Sequence, residues 1–328
     1  MLQISAVIPT YNRRDLVVRA IESVLAQTYP VREVIVVDDG STDGTEGTLC
    51  RYIATMAPSS RRVHYIRQEK GGAAMARNRG IAEATGDWVG FLDSDDQWLP
   101  DKLECQVRTL EKFAAVSVAC TTDATYVNNP LMSKTAFQAD GIQCDGEIGI
   151  FPHLRRQMIY GTHGVYLPTL LVHRKAIDTI GGFDPLLIVT EDTDFLFYLV
   201  GITTMCFVNK PLVAIDRTVG RTDGLMNLFK DESLMCQVDQ YRYEKWLRED
   251  RGSDVEIRKL LRRALHLTHI RRANCHLVCG DYEKARRSLS LAMDYGLSRR
   301  AAFNWLAIRL APELARKVVA KRHSRSEM

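Results

Sequence analysis

The chain has 328 residues, 46% of them hydrophobic and 26% charged, with a net charge of +4. That length allows one large domain with an appendage, or two domains, and the composition is that of a soluble protein able to bury a core. It excludes a disordered or membrane-embedded chain, and a charge this mild leads us to expect no nucleic-acid partner.

The N-terminus, MLQISAVIPTYN, lacks a basic start followed by a long apolar stretch, so no signal peptide is expected. The longest nearly uncharged run, Phe195 to Lys210, is too short to span a bilayer. Eight scattered cysteines then read as reduced thiols, and the protein as cytoplasmic.

In chain order, ISAVI, EVIVV, VHYI and WVGFL are short β-branched or aromatic runs that predict buried strands. Helical spacing fills the gaps at Leu16 to Gln27, about Thr42 to Met56, and Ala73 to Ala84. Strand alternating with helix predicts an α/β domain whose mostly parallel sheet is covered on both faces. Ligands of such sheets bind at the carboxyl ends of the strands. That rule puts PTYNRR, DDGSTDG and DSDDQW on one rim.

The middle, about 120–215, is less regular, with IGGFDP and then TEDTDFLFYLV as its clearest features. From about Leu225 helical runs dominate: LMCQVDQYRYEKWLRE, VEIRKLLRRALHLTHIRRANCHLVCG, DYEKARRSLSLAMDYG, and a last one from Arg299. The change in composition predicts two parts, 1–220 and 221–328.

Asp93, Asp95 and Asp96 crowd into four positions directly behind an apolar strand. Carboxylates so close repel one another, which calls for a positive partner. Hard oxygen ligands of this kind suit Mg²⁺, Mn²⁺ or Ca²⁺. The bland reading is an acidic cap on the helix that starts near Pro100. An EF-hand is excluded, because Trp98 occupies the position that requires glycine and the loop follows a strand.

Four ordered blocks decide among these readings. VIPTYNRRDLVVRAIESVLAQTYP, EVIVVDDGSTDGT, RQEKGGAAMARNRGIAEATGDWVGFLDSDDQWLPDKLE and IGGFDPLLIVTEDTDFLFYL together resemble the family 2 glycosyltransferases of GT-A fold, across most of residues 4–215. The resemblance implies a GT-A type sheet flanked by helices, to which this chain adds a C-terminal α-helical appendage. It implies a nucleotide-diphosphate-sugar donor, a divalent metal (Mn²⁺ or Mg²⁺), and inversion at the anomeric carbon. The acceptor would be a glycan, a polysaccharide or a lipid-linked glycan.

The same resemblance assigns roles. Pro9, Thr10, Tyr11 and Asp39 would hold the nucleobase, and Arg77, with Arg79 nearby, would approach the diphosphate. Asp95 would ligate the metal and Asp93 the ribose or the metal. Asp192 would be the general base, with Glu191 orienting it or binding acceptor hydroxyls; Asp194 reads as structural. Many relatives carry a basic segment with a histidine after the strand that follows the ED helix. Here that region reads DRTVGRTDGLM, with no histidine, so either Arg217 or Arg221 would serve as phosphate contact or the site would be completed differently.

Two rivals stand beside this reading. A non-catalytic nucleotide-sugar-binding scaffold of the same fold should have lost Asp95 or Asp192. A sugar nucleotidyltransferase should carry a Gly-rich loop after its first strand, where PTYNRR has no glycine. In the C-terminal part, His266, His269 and His276 with Cys275 and Cys279 are expected to be packed side chains rather than a zinc site. The last helix mixes Phe303, Trp305, Leu306, Ile308 and Leu310 with arginines and lysines. That pattern suits a peripheral contact with an anionic membrane, or packing within its own domain.

Overall fold

The four apolar runs form the parallel half of one sheet: β1 (Ile4–Thr10), β2 (Glu33–Asp38), β3 (Val63–Arg67) and β4 (Trp88–Phe91). Every residue of β1, β2 and β4 is buried, as expected where helices cover both faces. Among them run α1 (Val17–Leu25), α2 (Thr45–Thr55) and α3 (Ala73–Glu83). Helix α1 buries Val17, Ala20, Ile21 and Val24, the spacing of a single helical face.

This computed structural model describes residues 1–56, 62–161, 164–218, 225–250, 254–296 and 299–326. Its chain divides into two compact units, Met1–Arg221 and Thr222–Met328.

In the first unit the chain continues through β5 (Gln97–Trp98), α4 (Lys102–Phe113), β6 (Ser117–Val127), α5 (Ala136–Ala139), β7 (Ile148–Ile150) and α6 (Leu154–Tyr160). It ends with β8 (Leu171–His173), α7 (Arg174–Ile180), α8 (Glu191–Ile202) and β9 (Thr204–Asp216). Strand order is β3-β2-β1-β4-β8-β6-β9-β5, with β7 also on β9. β8 runs antiparallel to both β4 and β6, and β5 and β7 run antiparallel to β9. Of these short reversed strands, β7 and β8 come from the less regular middle of the sequence, and β5 from the DSDDQW loop.

Helix α3 lies very close to the sheet because Gly80 faces β1. A Cβ at Gly80 would sit 2.4 Å from Val7 Cγ1. That close approach brings Arg77, one turn earlier, down to the carboxyl end of the sheet.

The second unit is helical: α9 (Glu232–Glu249), α10 (Val255–Val278), α11 (Tyr282–Tyr295), α12 (Arg299–Leu310) and α13 (Pro312–Ser326). Asp231, Asp254 and Asp281 cap α9, α10 and α11 with side-chain oxygens on first-turn N–H groups. Ala273, Leu277, Ala285, Leu289, Ala301 and Ile308 form its core. The sequence pattern predicts one last helix, whereas the chain breaks at Ala311 and restarts at Pro312. Proline has no N–H for a continuing helix but fits the first turn of a new one.

His266 Nδ1 lies 2.8 Å from the Ala292 carbonyl, and His269 stacks on Tyr295 with centroids 5.5 Å apart. Neither histidine belongs to a group of three or more metal-ligating side chains among the described residues.

Candidate active site

The loops that leave β1, β2, β3 and β4 lie at the carboxyl ends of parallel neighbours, so they share one rim. Backbone and side chains lace them together. Asn12, with φ of 51°, donates its N–H to Ser41 Oγ at 2.9 Å and accepts from Thr42 N at 2.8 Å. The first loop is thereby fastened to the second.

Asp38 ends β2 and Asp39 follows it, and both are buried. Asp38 accepts from Ser41 N at 2.8 Å and from the Tyr65 hydroxyl at 2.8 Å. Asp39 accepts from Gln68 Nε2 and Gly71 N, both at 2.8 Å, and from Gly72 N at 2.7 Å. Gly72 has φ of +91°, a conformation that favours glycine, so KGG turns its amides onto Asp39 and then starts α3. Pro9 and Thr10 close β1 opposite Val37 and Asp38. Thr10 Oγ1 is buried with no hydrogen-bond partner among the described residues. Tyr11 is partly exposed. Lys70 Nζ donates to its hydroxyl at 3.0 Å and lies 4.1 Å from its ring centroid.

The centre of the site is Arg77. Nη2 donates to Asp93 Oδ1 at 2.8 Å and Nη1 to Glu191 Oε1 at 2.6 Å. One buried guanidinium thus joins the DSDD loop to the TED turn, the latter 114 residues from Arg77 in sequence. Burial works against its charge, but the two carboxylates outweigh that and hold its pKa above the usual arginine value. Arg79 points elsewhere and pairs with Glu83 at 2.8 Å on the exposed face. Two residues along a helix is about 200° of rotation, so both arginines cannot face the site.

The three aspartates have separate surroundings. Asp93 meets Arg77, while Asp95 Oδ2 lies 3.6 Å from Arg13 Nε. Asp96 is buried and accepts from Asp216 N at 2.8 Å, which ties the loop to the end of β9. Burial, with the charges of Asp93 and Asp95, pushes the Asp96 carboxyl well above the usual range. Helix α4 takes Asp101 as its N-cap residue, without a side-chain hydrogen bond, so the cluster does not serve as its cap.

On the facing side, Thr190 precedes α8 with φ of 61° and ψ of 16°. A β-branched residue in this left-handed region costs about 1–3 kcal/mol, and such strain concentrates at functional sites. Its hydroxyl is buried without a partner among the described residues. Glu191 and Asp192 follow in the first turn, where the helix dipole favours negative charge. Asp192 is half-buried and accepts from Thr193 N at 2.6 Å. Burial lifts the Glu191 carboxyl above its ordinary value, with Arg77 opposing and Asp192 adding to the shift. Asp194 is buried within α8. Arg217 lies beside Tyr126, 5.9 Å from its ring centroid, and Arg221 is outside the described residues.

The family model described as "Glycosyl transferase family 2" matches residues 5–181, more than half of the chain. The chain belongs to glycosyl transferase family 2. Among its family 2 relatives, the putative teichuronic acid biosynthesis glycosyltransferase TuaG of Bacillus subtilis is 43% identical over 116 residues. That match covers 35% of this chain and 44% of the relative. An uncharacterized glycosyltransferase of Rickettsia typhi is 30% identical over 217 residues, 64% of this chain and 62% of its own. The chain therefore spans less than two thirds of the length of these curated relatives.

The family 2 fold is also that of solved structures. Residues 1–349 of S. aureus TarS superpose with a TM-score of 0.68 at 17% identity, covering 99% of this chain and 92% of that one. The mannosyltransferase PcManGT of Pyrobaculum calidifontis, solved with GDP-Man and Mn²⁺, superposes with a TM-score of 0.57 at 20% identity, covering 97% of this chain and 84% of that one.

Sequence reasoning selects Asp93, Asp95, Glu191 and Asp192 but misses Arg13 and Thr190. Arg13 stands in PTYNRR, where its signal was the aspartate cluster that needed cations. Thr190 carries no signal in the sequence, because its strain exists only in the folded turn.

Proposed function

We propose that residues 1–220 form an inverting glycosyltransferase domain. It moves a sugar from a nucleotide-diphosphate sugar to an acceptor hydroxyl. The observation that carries this reading is Arg77, which holds Asp93 and Glu191 on one buried guanidinium. Through it the donor-side loop and the acceptor-side turn keep a fixed spacing, which a binding scaffold would not need.

In this reading Asp192 accepts the proton of the acceptor hydroxyl as that oxygen attacks the anomeric carbon opposite the departing diphosphate. Glu191, pinned by Arg77, keeps the turn in position. Asp39 uses three of its roughly four acceptor positions, two on the KGG turn and one on Gln68, and keeps one for the N–H edge of a base. Tyr11 offers the base the ring face that Lys70 leaves open. Thr10 Oγ1 is available to a base carbonyl.

Asp93 and Asp95 are hard oxygen donors at the solvent edge, with side chains 36% and 24% exposed. Among the described residues they belong to no three-membered metal-ligating group. Two carboxylates still fit a divalent ion whose other ligands are water and a diphosphate. When bound there, Mn²⁺ or Mg²⁺ would supply charge neutralisation on the leaving group. The fold it shares with PcManGT, solved with GDP-Man and Mn²⁺, supports this donor chemistry.

The acceptor reading is a glycan or lipid-linked glycan, reached by a cytoplasmic protein held peripherally at a membrane. Its support is the surface of α12 and α13, which leaves Phe303, Leu306, Leu310, Leu314 and Val318 exposed.

The test is a thermal-shift panel of UDP-, dTDP- and GDP-sugars with Mn²⁺, Mg²⁺ or EDTA. A ligand that binds only the folded state raises the melting temperature. A rise for one nucleotide that requires metal and is lost in Asp95→Ala supports the enzyme. The scaffold reading would gain if a nucleotide sugar bound tightly but no sugar was transferred to any glycan or lipid-linked acceptor.

A further inference from the structure

We infer that Arg13 is a stand-in for the metal at Asp95: its guanidinium holds the carboxylate until a divalent ion and a diphosphate arrive, and then moves to the diphosphate. This rests on the metal-assisted reading above and assigns a positioning role to a residue outside the aspartate cluster.

Three observations carry it. Arg13 Nε lies 3.6 Å from Asp95 Oδ2, with the two side chains 12% and 24% exposed. That is an ion pair at the rim of the site. The backbone that presents Arg13 does not depend on a ligand, since Asn12 is fastened to Ser41 and Thr42. Finally, the cluster's other solvent-edge carboxylate is already served differently. Asp93 pairs with Arg77, whose side chain is 6% exposed and also binds Glu191, so Arg77 is fixed from both sides.

A guanidinium and a divalent ion cannot share the same carboxylate oxygen without strong repulsion, because like charges this close oppose each other. Metal binding at Asp95 therefore competes with Arg13. Once displaced, Arg13 remains on the rim that receives the diphosphate, and planar bidentate recognition of phosphate is what arginine does well. The exchange predicts opposite signs for two affinities. Removing the charge at residue 13 should tighten metal binding and weaken diphosphate binding. A purely structural Arg13 would weaken both or neither.

The experiment titrates Mn²⁺ alone, followed by electron paramagnetic resonance, and UDP or GDP at saturating Mn²⁺, followed by calorimetry. Wild type, Arg13→Met and Arg13→Lys are compared, with melting temperatures to confirm folding. We expect Arg13→Met to bind Mn²⁺ about tenfold more tightly and the nucleoside diphosphate about tenfold more weakly, the size of one charge interaction at a partly buried site. Arg13→Lys should stay near wild type for Mn²⁺, since it keeps the charge. Equal Mn²⁺ affinity in wild type and Arg13→Met would overturn the exchange while leaving the metal reading intact. Absence of Mn²⁺ binding in both, with or without nucleotide, would overturn the two together.

Discussion

Arg77 sets the character of the site at the scale of single residues. Breaking a buried ion pair from one side costs about 3–5 kcal/mol, because a charge is left without compensation. For Arg77→Met we expect about 3 kcal/mol, at the lower end because Asp93 is partly solvated. The loss should depend on pH. Glu191 already titrates above its ordinary value in the fold, through burial that outweighs Arg77. A carboxyl raised in the folded state favours folding at low pH and disfavours it as pH rises. Without Arg77 that shift grows, so the deficit should be larger at pH 8 than at pH 5. Urea denaturation at the two values measures it, and a deficit independent of pH would speak against a buried Glu191 charge. Asp192→Asn has a different signature. General-base catalysis contributes about 10²–10⁴-fold, so transfer should fall by about a thousandfold while nucleotide-sugar binding changes little. Joint loss of binding and transfer would make Asp192 a donor or folding residue.

Elements explain which parts of this were legible in the sequence. Strands β1, β2 and β4 were readable because burial on both faces demands continuous apolar runs, and β3, which buries only Val63, was readable from its β-branched and aromatic residues; the loops then followed from strand direction. Strands β5, β7 and β8 were not, since two or three residues carry no period. Helix α4 shows a subtler limit. Its buried face holds Leu103, Val107 and Leu110 as expected, but also Lys102, Gln106 and Thr109. Lys102 is fully buried, with Nζ 2.9 Å from Gln106 Oε1 and 4.1 Å from the Trp98 ring centroid. Gln106 Nε2 in turn donates to the carbonyls of Cys120 and Thr169. This network braces β5, directly behind the aspartate cluster. Burial pulls the Lys102 pKa down to about 7. An amine lowered in the fold contributes stability above its unfolded value, about 10.5, and loses it as pH falls toward 7. Stability should therefore rise between pH 7 and 10, and Lys102→Met should flatten that rise. Parallel stability curves for the two proteins would show that Lys102 is not the group responsible.

At the scale of the whole molecule, the helical unit raises the question of what its outer surface meets. Helix α12 already has an inner face, with Ala301 and Ile308 buried and Trp305 packed against the core; α13 supplies Ala315 and Val319. Packing within its own unit thus accounts for one apolar stripe. Phe303, Leu306 and Leu310 form a second stripe on the opposite side of α12, with spacings of three and four residues, and are 70%, 48% and 73% exposed. Leu314 and Val318 extend the exposed set on α13. The sequence over 299–328 carries eight arginines and lysines against two glutamates, so the exposed apolar groups stand in a positive field. No described helix is long and apolar enough to cross a membrane. Apolar groups amid positive charge match an anionic lipid surface, where burial of side chains and attraction to headgroups add together. We expect the protein to sediment with phosphatidylglycerol vesicles, to be released by salt, and to ignore phosphatidylcholine. Substituting Leu306, Leu310 and Leu314 by Ser should abolish sedimentation at an unchanged melting temperature, because these side chains contribute little to the core. If the triple variant still sediments, the lipid reading fails. If it instead disperses a dimer of the wild-type protein, the second stripe belongs to another copy of the chain.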